Sequence, residues 1–143
     1  MSKERISPKE YSDMMSSISL VRINLVKSNV WLKEQNISGH TIDLSVKMKL
    51  TSSQGNETAS FLTSYKLTGS AKDGQAEVFS LSADFDIIYA KLKEIDLSKE
   101  FVDEFRNSIE LISWPYFREY VQSMTARMGL PPLTLPNKFF VDE

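Results

Sequence analysis

Cysteine is absent from the 143 residues, which excludes disulfides, thiolate catalysis and cysteine-ligated zinc together. Histidine is almost absent: His40 stands alone, in a segment that reads as a turn. A metal site would need carboxylates for its remaining ligands, and a Ser-His-Asp triad would have to be assembled around that one side chain. Long apolar runs are missing too. The most apolar stretch, Ile18 to Val26, is interrupted by Ser19, Arg22 and Asn24 and is too short and too polar to span a bilayer. Behind the positively charged Met1 to Arg5 no apolar h-region follows, so no signal peptide is evident and a cytosolic protein is expected. Neither sign of charge prevails: a net −2 offers no basic footprint for nucleic acid and no strong acidic field. Apolar residue is not lacking. At 41% hydrophobic, a chain of this length can bury a core without metal or disulfide support, and one domain, residues 1–143, is the expectation.

Ser7-Pro8-Lys9-Glu10 has the form of a capping box with proline at the first helical position, and Tyr11, Met14, Met15 and Ile18 follow at spacings of three and four. A short helix over 7–18 is expected, its stripe docking on its own domain or taking up a peptide. From Leu20 the period becomes two. Val21, Ile23 and Leu25 share one phase and Val30 and Leu32 the other, which predicts a bulge or bend near Lys27 to Asn29. Thr41 to Thr51 alternates without error, with Ile42, Leu44, Val46, Met48 and Leu50 against Asp43, Ser45, Lys47 and Lys49. Ser52 to Asn56 reads as a turn before a third strand carrying Ala59, Phe61, Tyr65 and Leu67. Lys72-Asp73-Gly74 marks another turn, and Phe79, Leu81, Ala83, Phe85, Ile87 and Tyr89 alternate through a fourth strand. Such short turns require antiparallel neighbours, so residues 20–92 should form a four-stranded antiparallel sheet.

Ser98 caps a helical segment with Phe101, Val102, Phe105, Ile109 and Ile112 at helical spacing. Pro115 should kink or restart it, and Gly129 with Pro131-Pro132 should stop it, giving helices over 98–129. The fold class is therefore α+β, a sheet with one apolar face covered by helices. The last helix is apolar over more than one face, since Phe117, Val121 and Met124 differ in direction from Trp114 and Tyr120. Surplus apolar surface of this kind implies self-association or a binding groove. The tail from residue 130 to 143 opens with Leu130, Leu133 and Leu135 set among Pro131, Pro132, Thr134 and Pro136. Such an extended segment can wall an apolar cleft or strap the core shut.

The run Trp114 to Pro136 resembles the SecB chaperone family, marked there by Pro-Tyr, Arg-Glu, Ser-Met, an arginine and a Pro-x-Leu-x-Leu loop. Pro115, Tyr116, Arg118, Glu119, Ser123, Met124, Arg127, Pro131, Leu133 and Leu135 match in register. Gly55-Asn56-Glu57-Thr58-Ala59 is similar to that family's Gly-Glu-Glu-Thr-Ala at the same hairpin. The resemblance implies a SecB-like fold and a dimer of dimers in which subunit sheets join and long helices pack together. It also implies an ATP-independent holdase without catalysis or cofactor, which keeps unfolded polypeptide clients in apolar grooves, with protein export as one setting. Trp31, Leu44, Phe61, Met124, Met128, Leu130, Leu133 and Leu135 are the expected client contacts. Flexible methionines and large aromatic rings suit many different clients. Trp114, Tyr116, Phe117 and Tyr120 are the expected oligomer interface.

Three departures qualify what the resemblance implies. Met128 stands where the family has glycine, and Gly129 comes one residue later; the loop between the first two strands shrinks to about Glu34 to His40. Where export members present acidic residues to the motor SecA, this chain has Asn29, Lys33, Thr63 and Ser64. Missing acidic complementarity weakens coupling to a basic partner. SecA thus stays an open partner, and a dedicated chaperone of one client, such as an antitoxin, is the second expectation. A small-molecule or lipid carrier is a third, from an apolar sheet face beneath a helix and a proline lid. Asp84 and Asp86 read as solvated alternation, not as a catalytic pair.

Overall fold

The computed structural model describes residues 5–33, 41–71 and 76–136. The turn at Lys72-Asp73-Gly74, the shortened loop 34–40 with His40, and the tail beyond Pro136 lie outside the described residues. Helix α1 (Pro8–Met15) leads into strands β1 (Ile18–Leu32), β2 (Ile42–Gln54), β3 (Thr58–Ala71) and β4 (Glu77–Lys91), and helix α2 (Lys99–Arg127) follows. The sheet runs β1-β4-β3-β2 with every pairing antiparallel, so β1 and β2 are its two edges. This is the expected α+β sandwich of one sheet and its covering helix.

Ser7 caps α1 as the capping box requires, its Oγ accepting from the Glu10 amide at 3.2 Å. The α1 stripe docks on its own chain: the Tyr11 ring lies 5.2 Å from Phe101, and Met14 packs on the same cluster. In β1 the phase slips twice, between Leu20 and Arg22 and again between Leu25 and Lys27. Val21 and Val26 are the extra residues, and each bulge turns the following side chains to the other face. Opposed residues in an antiparallel pair share a face. The pairs Leu20 with Tyr89, Ile23 with Ile87, Leu25 with Phe85, Val30 with Leu81 and Leu32 with Phe79 therefore place those β1 residues on the helix-facing side. The expected single bend near Lys27 is two bulges, and Val21 does not share a face with Ile23.

Two apolar clusters fill the space between sheet and α2. One joins Phe61, Ile87 and Tyr89 to Phe101, Phe105 and Ile109 in the first half of the helix. The other joins Val46, Met48, Tyr65, Leu67, Leu81 and Phe85 to Trp114, Phe117, Tyr120 and Val121 in the second half. Gly69 sits directly against the Phe79 ring, where a Cβ would collide with the aromatic carbons, so a side chain there would displace Phe79 from the core.

Helix α2 runs unbroken through Pro115, and the expected kink or restart is not the outcome. The donor that proline removes would have served the carbonyl of residue 111. Leu111 is 69% exposed, so solvent can reach that turn. At the other end the helix closes in a Schellman motif. Gly129, at φ 79°, supplies the left-handed residue, with its amide on the Ala126 carbonyl at 3.2 Å and the Leu130 amide on the Thr125 carbonyl at 3.0 Å. The displaced glycine thus ends the helix by the usual device, one residue further on.

Candidate functional site

The two sheet edges differ in what they leave open. On β1, Leu20, Leu25 and Val30 face the helix side yet remain 37% to 50% exposed, and the bulged Val21 and Val26 are 55% exposed. Tyr116 of α2 extends this apolar band: its ring lies 6.1 Å from Phe85, which is paired with Leu25. On β2, Met48 and Leu50 face the helix while Lys47 and Lys49 alternate to the outer face.

Along the β2 edge two cavities share Leu50 and Arg106 and form one groove. The first, about 410 Å³, lies between the end of β2 and the start of α2 and is lined by Leu50, Ser52, Gln54, Leu97, Val102 and Arg106, with Lys99 and Asp103. The second, about 490 Å³, is lined by Met48 and Leu50 from one face of β2 and by Lys47 and Lys49 from the other, so it straddles the edge. Gln54 fixes the lower wall. Its Nε2 donates to the Leu97 carbonyl at 2.9 Å, and its Oε1 accepts from the Leu97 amide and from Lys91 Nζ, both at 2.8 Å. Arg106 forms the middle of the wall, its Nη2 3.8 Å from Met48 Sδ and its Nε 3.5 Å from Glu110.

Behind the groove the core is closed by polar as well as apolar contacts. Ser113 Oγ donates to the Ile109 carbonyl at 2.8 Å, so the buried Tyr65 hydroxyl, 2.7 Å away, is the donor to Ser113. Burial is the main reason that the Tyr65 hydroxyl is pushed up to about 12, with the charge of Glu110 adding to the rise. Burial raises Tyr89 as well. A raised tyrosine keeps its proton in the folded state where the unfolded chain has begun to lose it. The stabilisation is therefore complete below pH 10 and lost as pH climbs from 10 towards 12, by at most about 2–3 kcal/mol for Tyr65. Urea titrations between pH 9 and about 12 should show the stability of the wild type falling more steeply than that of Tyr65→Phe; parallel curves would contradict the assignment.

The proline-rich segment straps the second half of α2. The Trp114 indole donates to the Pro136 carbonyl at 2.8 Å, Arg118 Nε donates to the Leu135 carbonyl at 2.8 Å, and the Leu133 amide donates to Thr125 Oγ1 at 2.9 Å. Leu130 and Leu135 are buried by this strap, while Leu133, Met124 and Met128 are half-buried against the same core. Of the other expected client contacts, Phe61 is in the interior at 1% exposure, Leu44 is on the β2 edge at 41%, and Trp31 is on the opposite edge at 54%, with Lys33 Nζ 4.5 Å above its ring. Among the expected interface residues, Trp114, Phe117 and Tyr120 are buried between helix and sheet within the chain, and only Tyr116 is open, at 48%. The expected residues thus divide among core, strap and two edges, and no single site gathers them. Of the groove residues, Leu97 and Arg106 had no sequence signal of their own, Gln54 reads within a turn and Val102 within the α2 stripe, whereas Leu50, Lys47 and Lys49 stood in the clean alternation of β2.

No protein-family model matches the sequence, and no curated protein matches it. Among solved structures the chain is similar to the Mycobacterium tuberculosis SecB-like chaperone in complex with a ChAD peptide from the HigA1 antitoxin. The TM-score is 0.75 at 19% identity, over 90% of this chain and 96% of that one. A Streptococcus agalactiae protein of unknown function is matched at TM-score 0.46 and 9% identity, over 83% of this chain and 96% of that one. Among the described residues no helix is long and apolar enough to cross a membrane. Four antiparallel strands beneath one long helix, in an arrangement shared over nine-tenths of the chain, give this protein the SecB-like fold.

Proposed function

We propose that the chain is an ATP-independent chaperone that holds unfolded or non-native polypeptide along the β2 edge, without catalysis and without a cofactor. The observation that carries this reading is the groove itself. A free strand edge presents unpaired backbone groups to any extended chain, and the apolar side chains of Met48, Leu50, Leu97 and Val102 beside it accept side chains of varied sequence. Leu44 lies further along the same edge, and the half-buried Met124, Met128 and Leu133 add adaptable contacts. Aggregation of a chemically denatured client, followed by light scattering, should be suppressed by stoichiometric protein with no nucleotide present. Unchanged aggregation would rule out a general holdase.

The β1 edge supports a second part of the proposal, a homo-oligomer of dimers in which subunit sheets join. Exposed Leu20, Leu25, Val30 and Tyr116 form an apolar band that water disfavours and a second subunit would cover. The cytoplasm is the setting in which such a chaperone meets clients before export or assembly. A dedicated role is favoured by one specific observation, that the Mycobacterium tuberculosis protein of the same fold is a chaperone held in complex with an antitoxin peptide. Pull-down from native cells separates the two: one abundant client marks a dedicated chaperone, and a broad set marks a general one.

A further inference from the structure

The upper cavity of the β2 groove has a charge that the chain as a whole lacks. Its lining contains Lys47, Lys49, Lys66 and Arg106 and no carboxylate, in a protein of net charge −2. Lys47 and Lys66 are directly opposed in the β2–β3 register, and Lys49 follows two residues along on the same face. Like charges directly opposite one another destabilise a sheet, so such a pair weakens the fold unless an anion lies across it. Arg106 is engaged by Glu110 at 3.5 Å. Among the described residues the three lysines have no carboxylate within ion-pair distance. The nearest acid on their face, Asp84 of β4, is opposed by Ser64 on one side and by Lys27 on the other.

We infer that the groove selects extended polypeptide segments whose apolar residues are flanked by aspartate or glutamate, with the acidic flank over Lys47, Lys49 and Lys66 and the apolar part beside Met48 and Leu50. This rests on the reading of the β2 edge as the client groove. The apolar cavity gives affinity for any extended chain, and the three cations give the direction and the choice. Opposite charge on a client gains attraction and also removes the Lys47–Lys66 repulsion, whereas a basic flank adds to it. The gain is a surface effect, so it is strong at low ionic strength and screened when the Debye length falls below the spacing of the groups.

Fluorescence anisotropy with labelled peptides of one apolar sequence, flanked by Asp and Glu, by Asn and Gln, or by Lys, tests this on the full chain. The acidic peptide should bind about tenfold tighter than the neutral one at low salt, the sum of several weak surface pairs. That advantage should shrink towards none at high salt. In the variant Lys47→Gln/Lys49→Gln/Lys66→Gln the acidic peptide should bind no better than the neutral one, whatever change in affinity the two share. Equal binding of acidic and neutral peptides, preference for the basic one, or an acidic preference that survives in the triple variant would each overturn the inference and leave the groove standing. Failure of every peptide to bind would remove the groove reading and the inference with it.

Discussion

Phe105→Ala should cost about 3–5 kcal/mol of folding stability, near the upper end for a single side chain. The residue is 1% exposed and lies where three elements meet. It stacks on Phe101 at 5.1 Å with the planes 19° apart, and meets the edges of Phe61 and Tyr89, both at 5.4 Å. Phe101 in turn carries Tyr11 of α1. Deleting the Phe105 ring therefore loosens α2 from β3 and β4 and weakens the seat of α1. The three rings packed around it have little freedom to collapse into the void, and residual cavity volume is what enlarges such a penalty. Urea denaturation followed by tyrosine and tryptophan fluorescence measures it. A loss below about 1 kcal/mol would mean that the cavity refills, and that this cluster is not the fixed centre of the lower core.

The strands and helices were legible because each repeats its own period. β2, β3 and β4 alternate cleanly, and a two-residue period admits one register once a face is buried. The α1 stripe and the α2 spacing were equally plain. Two things were hidden for physical reasons. A bulge leaves no residue signature of its own, so the two slips at Val21 and Val26 merge in the sequence into one break of phase. Burial around a long helix depends also on what later chain folds over it. Trp114, Phe117 and Tyr120 look like surplus apolar surface because α2 is apolar on several sides. The sheet covers one of those sides and the Leu130 to Pro136 strap covers another. The groove was the least legible feature, since it is made by an edge and a gap. Gln54 and Leu97 are 43 residues apart, and only the folded chain shows that they clamp one another.

Trp114→Ala and Tyr116→Ala should separate core from surface within two residues of one another. Trp114 is 6% exposed, packs 5.9 Å from Tyr65 and 6.0 Å from Phe117, and holds the strap through its indole donor. Its removal should cost about 3–5 kcal/mol at any protein concentration, because both the ring's burial and the strap's anchor are intrachain. Trp114→Phe should restore much of the packing while leaving the Pro136 carbonyl without that donor, a loss of about 1 kcal/mol. Tyr116 meets the core at the Phe85 ring and is 48% exposed beside the β1 edge. Its replacement should change the stability of a dilute subunit by no more than about 0.5 kcal/mol. If β1 edges join subunits, Tyr116→Ala should instead weaken association, and the deficit should grow with protein concentration because oligomerisation adds stability by mass action. Sedimentation velocity across a dilution series, beside urea melts at each concentration, reads both effects. Trp114→Ala lowering association without lowering subunit stability would move that residue out of the core and onto an interface. Tyr116→Ala leaving the sedimentation profile unchanged would take the β1 band out of the assembly.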